Sequence, residues 1–106
     1  MAAASLKKVV SKYIWSQILD GKVSIESTAR FLDMSVRSLQ RSLSREDTDF
    51  RTLVNEARCR KAAELLTYAD ASIAGIARSL GYSTPTHFAR AFRNATGVSP
   101  REFRQR

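Results

Sequence analysis

The sequence predicts an all-α fold of seven helices. Apolar residues recur at helical rather than alternating spacing, and only four Gly and two Pro interrupt the 106 residues. A helical unit is also repeated within the chain. With 43% apolar and 26% charged residues, the composition is that of one small globular domain.

The first helix is predicted from one apolar stripe and ends at Asp20-Gly21. The stripe consists of Leu6, Val9, Val10, Tyr13, Ile14, Ile18 and Leu19. Ser24 and Ser35 can cap short second and third helices, because a serine hydroxyl accepts from free amides at a helix start. Only the tripeptide Asp33-Met34-Ser35 separates these two helices.

A longer helix is predicted over about residues 50–68, with Asp49 or Thr48 as its cap. Three further helices are expected over about residues 73–80, 85–95 and 100–104. The last has a capping box in Ser99 and Glu102, and Pro100 stands at the favoured first position.

A segment beginning at Ser24 recurs 48 positions later, at Ser72, with six identities in twelve positions. The first copy contributes Ser24, Ile25, Ala29, Arg30, Leu32 and Ser35, which match Ser72, Ile73, Ala77, Arg78, Leu80 and Ser83. With one extra residue in the second copy, Leu39, Arg41 and Leu43 match Phe88, Arg90 and Phe92. Each copy is therefore a short helix, a tight turn and a longer helix.

A helix-turn-helix needs a small residue within its first helix and a turn residue that tolerates left-handed backbone. Ala77 and Gly81 meet both demands in the second copy. In the first copy Ala29 is kept and Asp33 stands in place of the glycine. Aspartate is one of the few residues that tolerate left-handed backbone. A plain helical hairpin would explain one copy, but two copies on a basic chain favour helix-turn-helix units.

The charge balance points to a polyanionic partner. Eighteen Lys and Arg against ten Asp and Glu leave a net charge of +8, which favours nucleic acid first and a membrane surface second. The longest apolar run, Met1 to Ala4, is too short for a spanning helix or a signal peptide. A cytoplasmic location is therefore expected.

The single cysteine and the single histidine argue against an enzyme. Cys59 alone excludes an internal disulfide or a cysteine zinc site, and we expect it to be a small buried helical residue. His87 pairs with no recognisable nucleophile or metal-ligand spacing. Neither catalytic activity nor a cofactor or metal is predicted.

The second copy carries a longer string of motif residues. These are Ile76-Ala77, Gly81-Tyr82-Ser83, Phe88, Arg90, Phe92-Arg93, Gly97, Ser99-Pro100 and Phe103-Arg104. In order and spacing the string resembles the second helix-turn-helix signature of AraC/XylS-type transcriptional regulators. Residues 35–43, centred on Leu39-Gln40-Arg41, resemble the first recognition helix of that family, and residues 50–66 resemble its linker helix. The departures are Asp33 at the first turn and Phe103, where the family often has Tyr.

The resemblance implies a sequence-specific regulator of transcription that binds double-stranded DNA on the nucleoid. Residues 6–48 would form the first helix-turn-helix subdomain, 49–68 the linker helix and 69–106 the second subdomain. A linker of this length spans roughly 28 Å, near the 34 Å or so between successive major grooves on one face of the duplex. One monomeric domain would then read an asymmetric site. We expect the sequence to be the C-terminal part of a longer regulator, with any dimerisation through a separate N-terminal domain.

Base-reading residues are predicted from the faces that the core does not use. In the first recognition helix Val36, Leu39 and Leu43 point inward, so that Arg37, Ser38, Gln40 and Arg41 face the groove. Arg pairs with guanine and Gln with adenine through two hydrogen bonds. In the second, Phe88 and Phe92 point inward, so that Thr86, His87 and Arg90 face the groove. For His87 a base contact and a solvent-facing role stay open.

Phosphate contacts are predicted at helix N-termini and at cations nearby. The hydroxyl groups are those of Ser35, Ser83 and Thr84, and the cations are Lys22, Arg45 and Arg93. Each cation also fits an ordinary solubilising charge.

Two alternatives remain at this stage. One is a helical interaction module whose basic surface binds an acidic protein such as RNA polymerase. The other is a membrane-surface binder that uses Lys7, Lys8 and Lys12 beside Trp15 in the first helix. A gel-shift assay and a vesicle-binding assay discriminate between these and DNA binding.

Overall fold

A computed structural model describes residues 5–20 and 23–106. Within these ranges the fold is all helical, with seven α-helices and one 3-10 turn at Ile18–Asp20. The helices are α1 (Leu6–Gln17), α2 (Ile25–Phe31), α3 (Val36–Arg45), α4 (Phe50–Tyr68), α5 (Ile73–Ser79), α6 (Pro85–Thr96) and α7 (Pro100–Arg104). The predicted fold class is confirmed.

The internal repeat of the sequence is a repeat of backbone structure. Helices α2 and α5 each have seven residues and are capped by Ser24 and Ser72. The turns that follow place Asp33 at φ 56° and Gly81 at φ 87°, both left-handed. After each turn a backbone amide donates a hydrogen bond to the preceding helix. The Met34 amide donates to the Ala29 carbonyl at 2.9 Å, and the Tyr82 amide donates to the Ala77 carbonyl at 3.0 Å. Both predicted turn residues therefore have the expected conformation.

The linker helix α4 is the spine of the molecule. Helices α1, α5, α6 and α7 all pack on it. Helix α6 borders its N-terminal half, beside Thr52 and Asn55, and Arg104 of α7 reaches its C-terminal end. The core is formed by Val10, Ile14, Ile18, Ala29, Leu39, Leu43, Leu53, Val54, Ala57, Ala62, Leu66, Ile76, Ala77, Leu80, Phe88 and Phe92. Each recognition helix thus buries the face that the sequence assigned to the core, although Val36 is only half-buried.

The first helix departs from its prediction at its C-terminal end. The α-helix stops at Gln17 and continues as the 3-10 turn, so Leu19 is 47% exposed rather than part of the buried stripe. A 3-10 turn advances each residue by about 120° instead of 100°. That extra rotation carries Leu19 away from the face occupied by Ile14 and Ile18.

The helix caps decide two points that the sequence left open or misplaced. Asp49, not Thr48, caps α4, and its carboxylate accepts from the Thr52 amide at 2.8 Å. The Ser99 hydroxyl accepts from the Glu102 amide at 3.1 Å, as predicted. The reciprocal box, however, forms at Ser24 and Ser27, whose hydroxyls and amides pair at 3.0 and 3.2 Å.

Arg104 ties the last helix to the end of the linker helix. Its guanidinium donates to the carbonyl oxygens of Leu66 at 3.2 Å, Ala69 at 3.2 Å and Ala71 at 2.6 Å. These carbonyls include ones that a helix end leaves without intrahelical donors. One arginine from α7 therefore caps the C-terminus of α4.

Candidate nucleic-acid interface

The first recognition helix, α3, exposes a basic and amide-bearing face. Arg37, Gln40, Arg41 and Arg45 are all exposed, whereas Ser38 is half-buried. The Ser38 hydroxyl lies 2.9 Å from the hydroxyl of the capping residue Ser35, which accepts from the Ser38 amide at 3.1 Å. Ser38 is thus held at the helix start, and the three arginines and the glutamine are left to reach outward.

The second recognition helix, α6, exposes Thr86, His87, Arg90 and Arg93. Thr84 is its N-cap and accepts from the His87 amide at 3.1 Å. Ser83 lies one residue earlier, and its hydroxyl is 3.0 Å from Nδ1 of His87. This contact orients the imidazole ring and leaves Nε2 as the ring atom that faces away from the serine.

The two helix N-termini differ in how many amides they offer to an anion. In α3 the amides of Val36 and Arg37 precede the first intrahelical hydrogen bond. In α6 the first position is Pro85, which has no N–H, so that only Thr86 supplies an early amide. Ser35 and Thr84, where phosphate contacts are predicted, therefore both lie at helix N-termini, and the helix start at Ser35 offers more free amides. Lys22 lies outside the described residues.

The recognition faces carry positive charge without carboxylates. Neither α3 nor α6 contains Asp or Glu. Within residues 5–20 and 23–106 the one ion pair joins Lys61 and Glu64 at 2.9 Å, on α4. The arginines of both recognition helices therefore keep their charge available for an anionic partner.

Cys59 and Trp15 bear on the other interpretations. Cys59 is half-buried rather than buried, and desolvation raises the pKa of its thiol, so the thiolate is disfavoured at neutral pH.

Trp15 is covered by Arg60 and Lys61, which stack over its ring at 5.3 and 5.0 Å. The residue suggested for a membrane contact is thus engaged with α4. Across the described part of the chain, no helix combines the length and apolar character needed to cross a membrane.

Known proteins resemble this chain in both sequence and structure. The chain is 38% identical over 87 residues to the helix-turn-helix transcriptional regulator VqsM of Pseudomonas aeruginosa, covering 82% of this chain and 27% of that protein. A crystal structure of a DNA-binding transcriptional dual regulator from Escherichia coli K-12 matches with a TM-score of 0.91 at 28% identity, over 99% of this chain and 94% of that one.

Two further structures share the fold. An AraC-type DNA-binding domain protein from Chromobacterium violaceum matches with a TM-score of 0.83 at 26% identity, over 93% of this chain and 89% of that one. The DNA-binding domain of AdpA in complex with target DNA matches in fold, with a TM-score of 0.75 at 24% identity, over 96% of this chain and 92% of that one. The chain spans about a quarter of the length of the curated relatives it matches first.

Two helix-turn-helix units on one linker helix define a tandem helix-turn-helix protein. A helix-turn-helix domain family model matches residues 28–106. The chain belongs to this family, the AraC-type helix-turn-helix domains of transcriptional regulators. The resemblance drawn from the motif residues is confirmed, and the family is one of regulators rather than enzymes.

Proposed function

We propose that this domain binds a specific duplex DNA site as the DNA-binding part of a transcriptional regulator, with α3 and α6 in adjacent major-groove segments. The supporting observation is the pair of exposed recognition helices, both of which border grooves along the 19-residue linker helix. The described residues extend 41 Å along their longest axis, enough for two grooves about 34 Å apart.

Base recognition is assigned to the exposed side chains of both helices. On α3, Arg37 and Arg41 suit guanine and Gln40 suits adenine, because each makes two hydrogen bonds to one base edge. Ser38 is the shorter fourth member of this set. On α6 the set is Thr86, His87 and Arg90.

Phosphate binding is assigned to the helix starts and the flanking cations. Ser35, Ser83 and Thr84 mark the N-terminal ends of α3 and α6, where early amides and the helix dipole attract anions. Lys22, Arg45 and Arg93 complete the proposed set. These contacts position the domain and carry no sequence information of their own.

The unit of binding is proposed to be one chain. Residues 6–48 and 69–106 act as two reading subdomains on the linker helix, so an asymmetric site of about 17 to 20 base pairs is occupied without dimerisation. In a longer regulator, self-association would belong to another domain.

RNA polymerase is proposed as a second partner. The specific observation is Phe31, which is 64% exposed and stacks on Tyr13 with ring centroids 4.4 Å apart. Lys12 lines the same apolar groove, so the face suits an acidic segment with apolar side chains. A Phe31→Ser variant should keep its DNA affinity and lose polymerase retention at the bound site. Unchanged retention would exclude this face.

The experiment for the main proposal is a salt titration of binding to a selected duplex. A +8 domain touching about 6 to 10 phosphates should give a log–log slope of roughly −5 to −9. Competition with unrelated duplex should show a preference of at least about a thousandfold. A slope near zero would exclude DNA binding, and equal affinity for all duplexes would exclude sequence-specific recognition.

A further inference from the structure

One face of the linker helix borders grooves that also touch both recognition helices. Arg51, Asn55 and Arg58 are spaced by four and three residues, so their side chains share one side of α4. We call these three residues the linker strip. Arg51 and Asn55 are exposed, and Arg58 is half-buried.

The linker strip lines two adjoining grooves, which together we call the valley. A groove of about 480 Å³ is lined by Gln40 and Ser44 of α3 together with Arg51. A second groove of about 470 Å³ is lined by the whole strip together with His87 of α6. Arg51 lines both grooves, so the valley borders α3 on one side and α6 on the other.

Arg58 lies in this valley and forms no ion pair with any residue that the structure describes. Its guanidinium lies over the Tyr82 ring at 5.3 Å, and Nη2 is 3.4 Å from the position that a Cβ on Gly81 would occupy. Nε is buried and has no acceptor among the described residues. A partly desolvated charge is costly unless an anion compensates it. The Asp49 carboxylate lies near Arg51 and accepts a hydrogen bond from the Thr52 amide.

We propose that the linker strip binds the DNA phosphates that lie between the two major-groove segments. This inference rests on the proposed function. When one domain occupies two successive major-groove segments on one face, the backbones that border the intervening minor groove pass between its recognition helices. Arg and Asn are common phosphate partners, and two arginines that form no ion pair among residues 5–20 and 23–106 match the charge of that backbone. The strip therefore acts as a third, sequence-independent contact.

The test compares single charge removals on opposite faces of the same helix. Arg51→Gln and Arg58→Gln each remove one proposed phosphate contact, so each should flatten the log–log salt slope by about 0.9. Affinity should fall by the same factor on selected and unrelated duplexes. The matched control is Arg60→Gln, whose side chain stacks over Trp15 on the opposite face and should leave the slope unchanged. Strip variants that behave like Arg60→Gln overturn the inference.

Two further measurements separate contact from structure. Arg58→Lys keeps the charge but loses the flat stacking group over Tyr82, so a retained slope supports a phosphate contact and a slope reduced as in Arg58→Gln contradicts it. Ethylation of the phosphates between the two half-sites should hinder the parent domain more than Arg51→Gln, because that variant has lost one of the strip's contacts. Equal hindrance in both would overturn the assignment of Arg51. If the parent domain itself shows no salt-dependent binding, the proposed function fails rather than the strip alone.

Discussion

Asp33 and Gly81 occupy equivalent turn positions with the same left-handed backbone, at φ 56° and 87°. Glycine reaches this region without penalty, and aspartate is among the few other residues that do so at modest cost. The two turns therefore share a geometry while tolerating different side chains. Their sensitivity to a branched residue should be alike.

Replacing Gly81 by Val should disable the second recognition helix. A β-branched residue adopts positive φ only with strain of roughly 1 to 3 kcal/mol, so α6 should be misdirected while the first subdomain stays packed. We expect most of the helical circular dichroism and weak salt-sensitive DNA binding to remain. Base preference should be lost in the half-site that Thr86 and Arg90 are proposed to read.

The control for that variant is Gly81→Asn. Asparagine tolerates the left-handed region, and an added Cβ meets Arg58 Nη2 only at an ordinary contact distance of 3.4 Å. Asn should therefore keep the preference that Val loses. Unchanged discrimination in Gly81→Val would show that the turn does not direct α6.

Arg104 is the residue whose conservative replacement should cost most outside the apolar core. Its guanidinium donates hydrogen bonds to three carbonyls at and just after the end of α4. A lysine cannot reproduce that planar geometry. Losing hydrogen bonds from a charged donor costs on the order of 1.5 to 3 kcal/mol. Urea unfolding of Arg104→Lys should show a destabilisation of about this size. The exposed Arg101→Lys on the same helix should unfold like the parent.

Helix α4 begins at a carboxylate cap, so its start should respond to acid. The hydrogen bond from the Thr52 amide lowers the pKa of Asp49 below its ordinary value. A depressed carboxyl pKa stabilises the fold above the ordinary value near about 3.9 and loses that stabilisation as the pH falls through the folded pKa. The cap should therefore be fully effective at neutral pH.

The corresponding measurement is the unfolding midpoint of the parent and of Asp49→Ala as a function of pH. We expect the parent to be the more stable at pH about 6 and the difference to shrink below about pH 4, as the carboxylate is protonated. A difference that is constant across this range would contradict the assignment of the cap to the ionised carboxylate.

Base recognition in the two halves of the site should be lost separately, because the proposal places each recognition helix in its own groove segment. Arg41→Ala and Arg90→Ala should each cost on the order of 1 to 3 kcal/mol if they contact bases. Selection of preferred sites from a random duplex pool should show relaxed preference in a different half of the site for each variant. Uniform weakening on all sequences would reassign both residues to phosphate contact.

Much of the fold was predictable because its signals are local. Caps such as Ser24 and Ser72 act within three residues, and the apolar period identifies the buried faces of α3 and α6 from their own residues. The repeat then located both left-handed turns. The proposed base-reading residues follow from the same periodicity by exclusion, and their contacts with DNA stay a prediction.

Tertiary structure alone decided the contacts between residues far apart in sequence. No local sequence pattern predicts these contacts. They are the hydrogen bond from Arg104 to the Leu66 carbonyl and the stacking of Arg58 on Tyr82 and of Arg60 on Trp15. From the sequence alone, an arginine on a helix is predicted to be a solvent-exposed charge. Only tertiary packing shows whether a carbonyl or an aromatic ring lies beside it. The sequence by itself thus determined the helices, their turns and the outward faces of α3 and α6. Packing on α4 determined which cations are structural and which line the valley between the recognition helices, because that depends on the relative placement of whole helices.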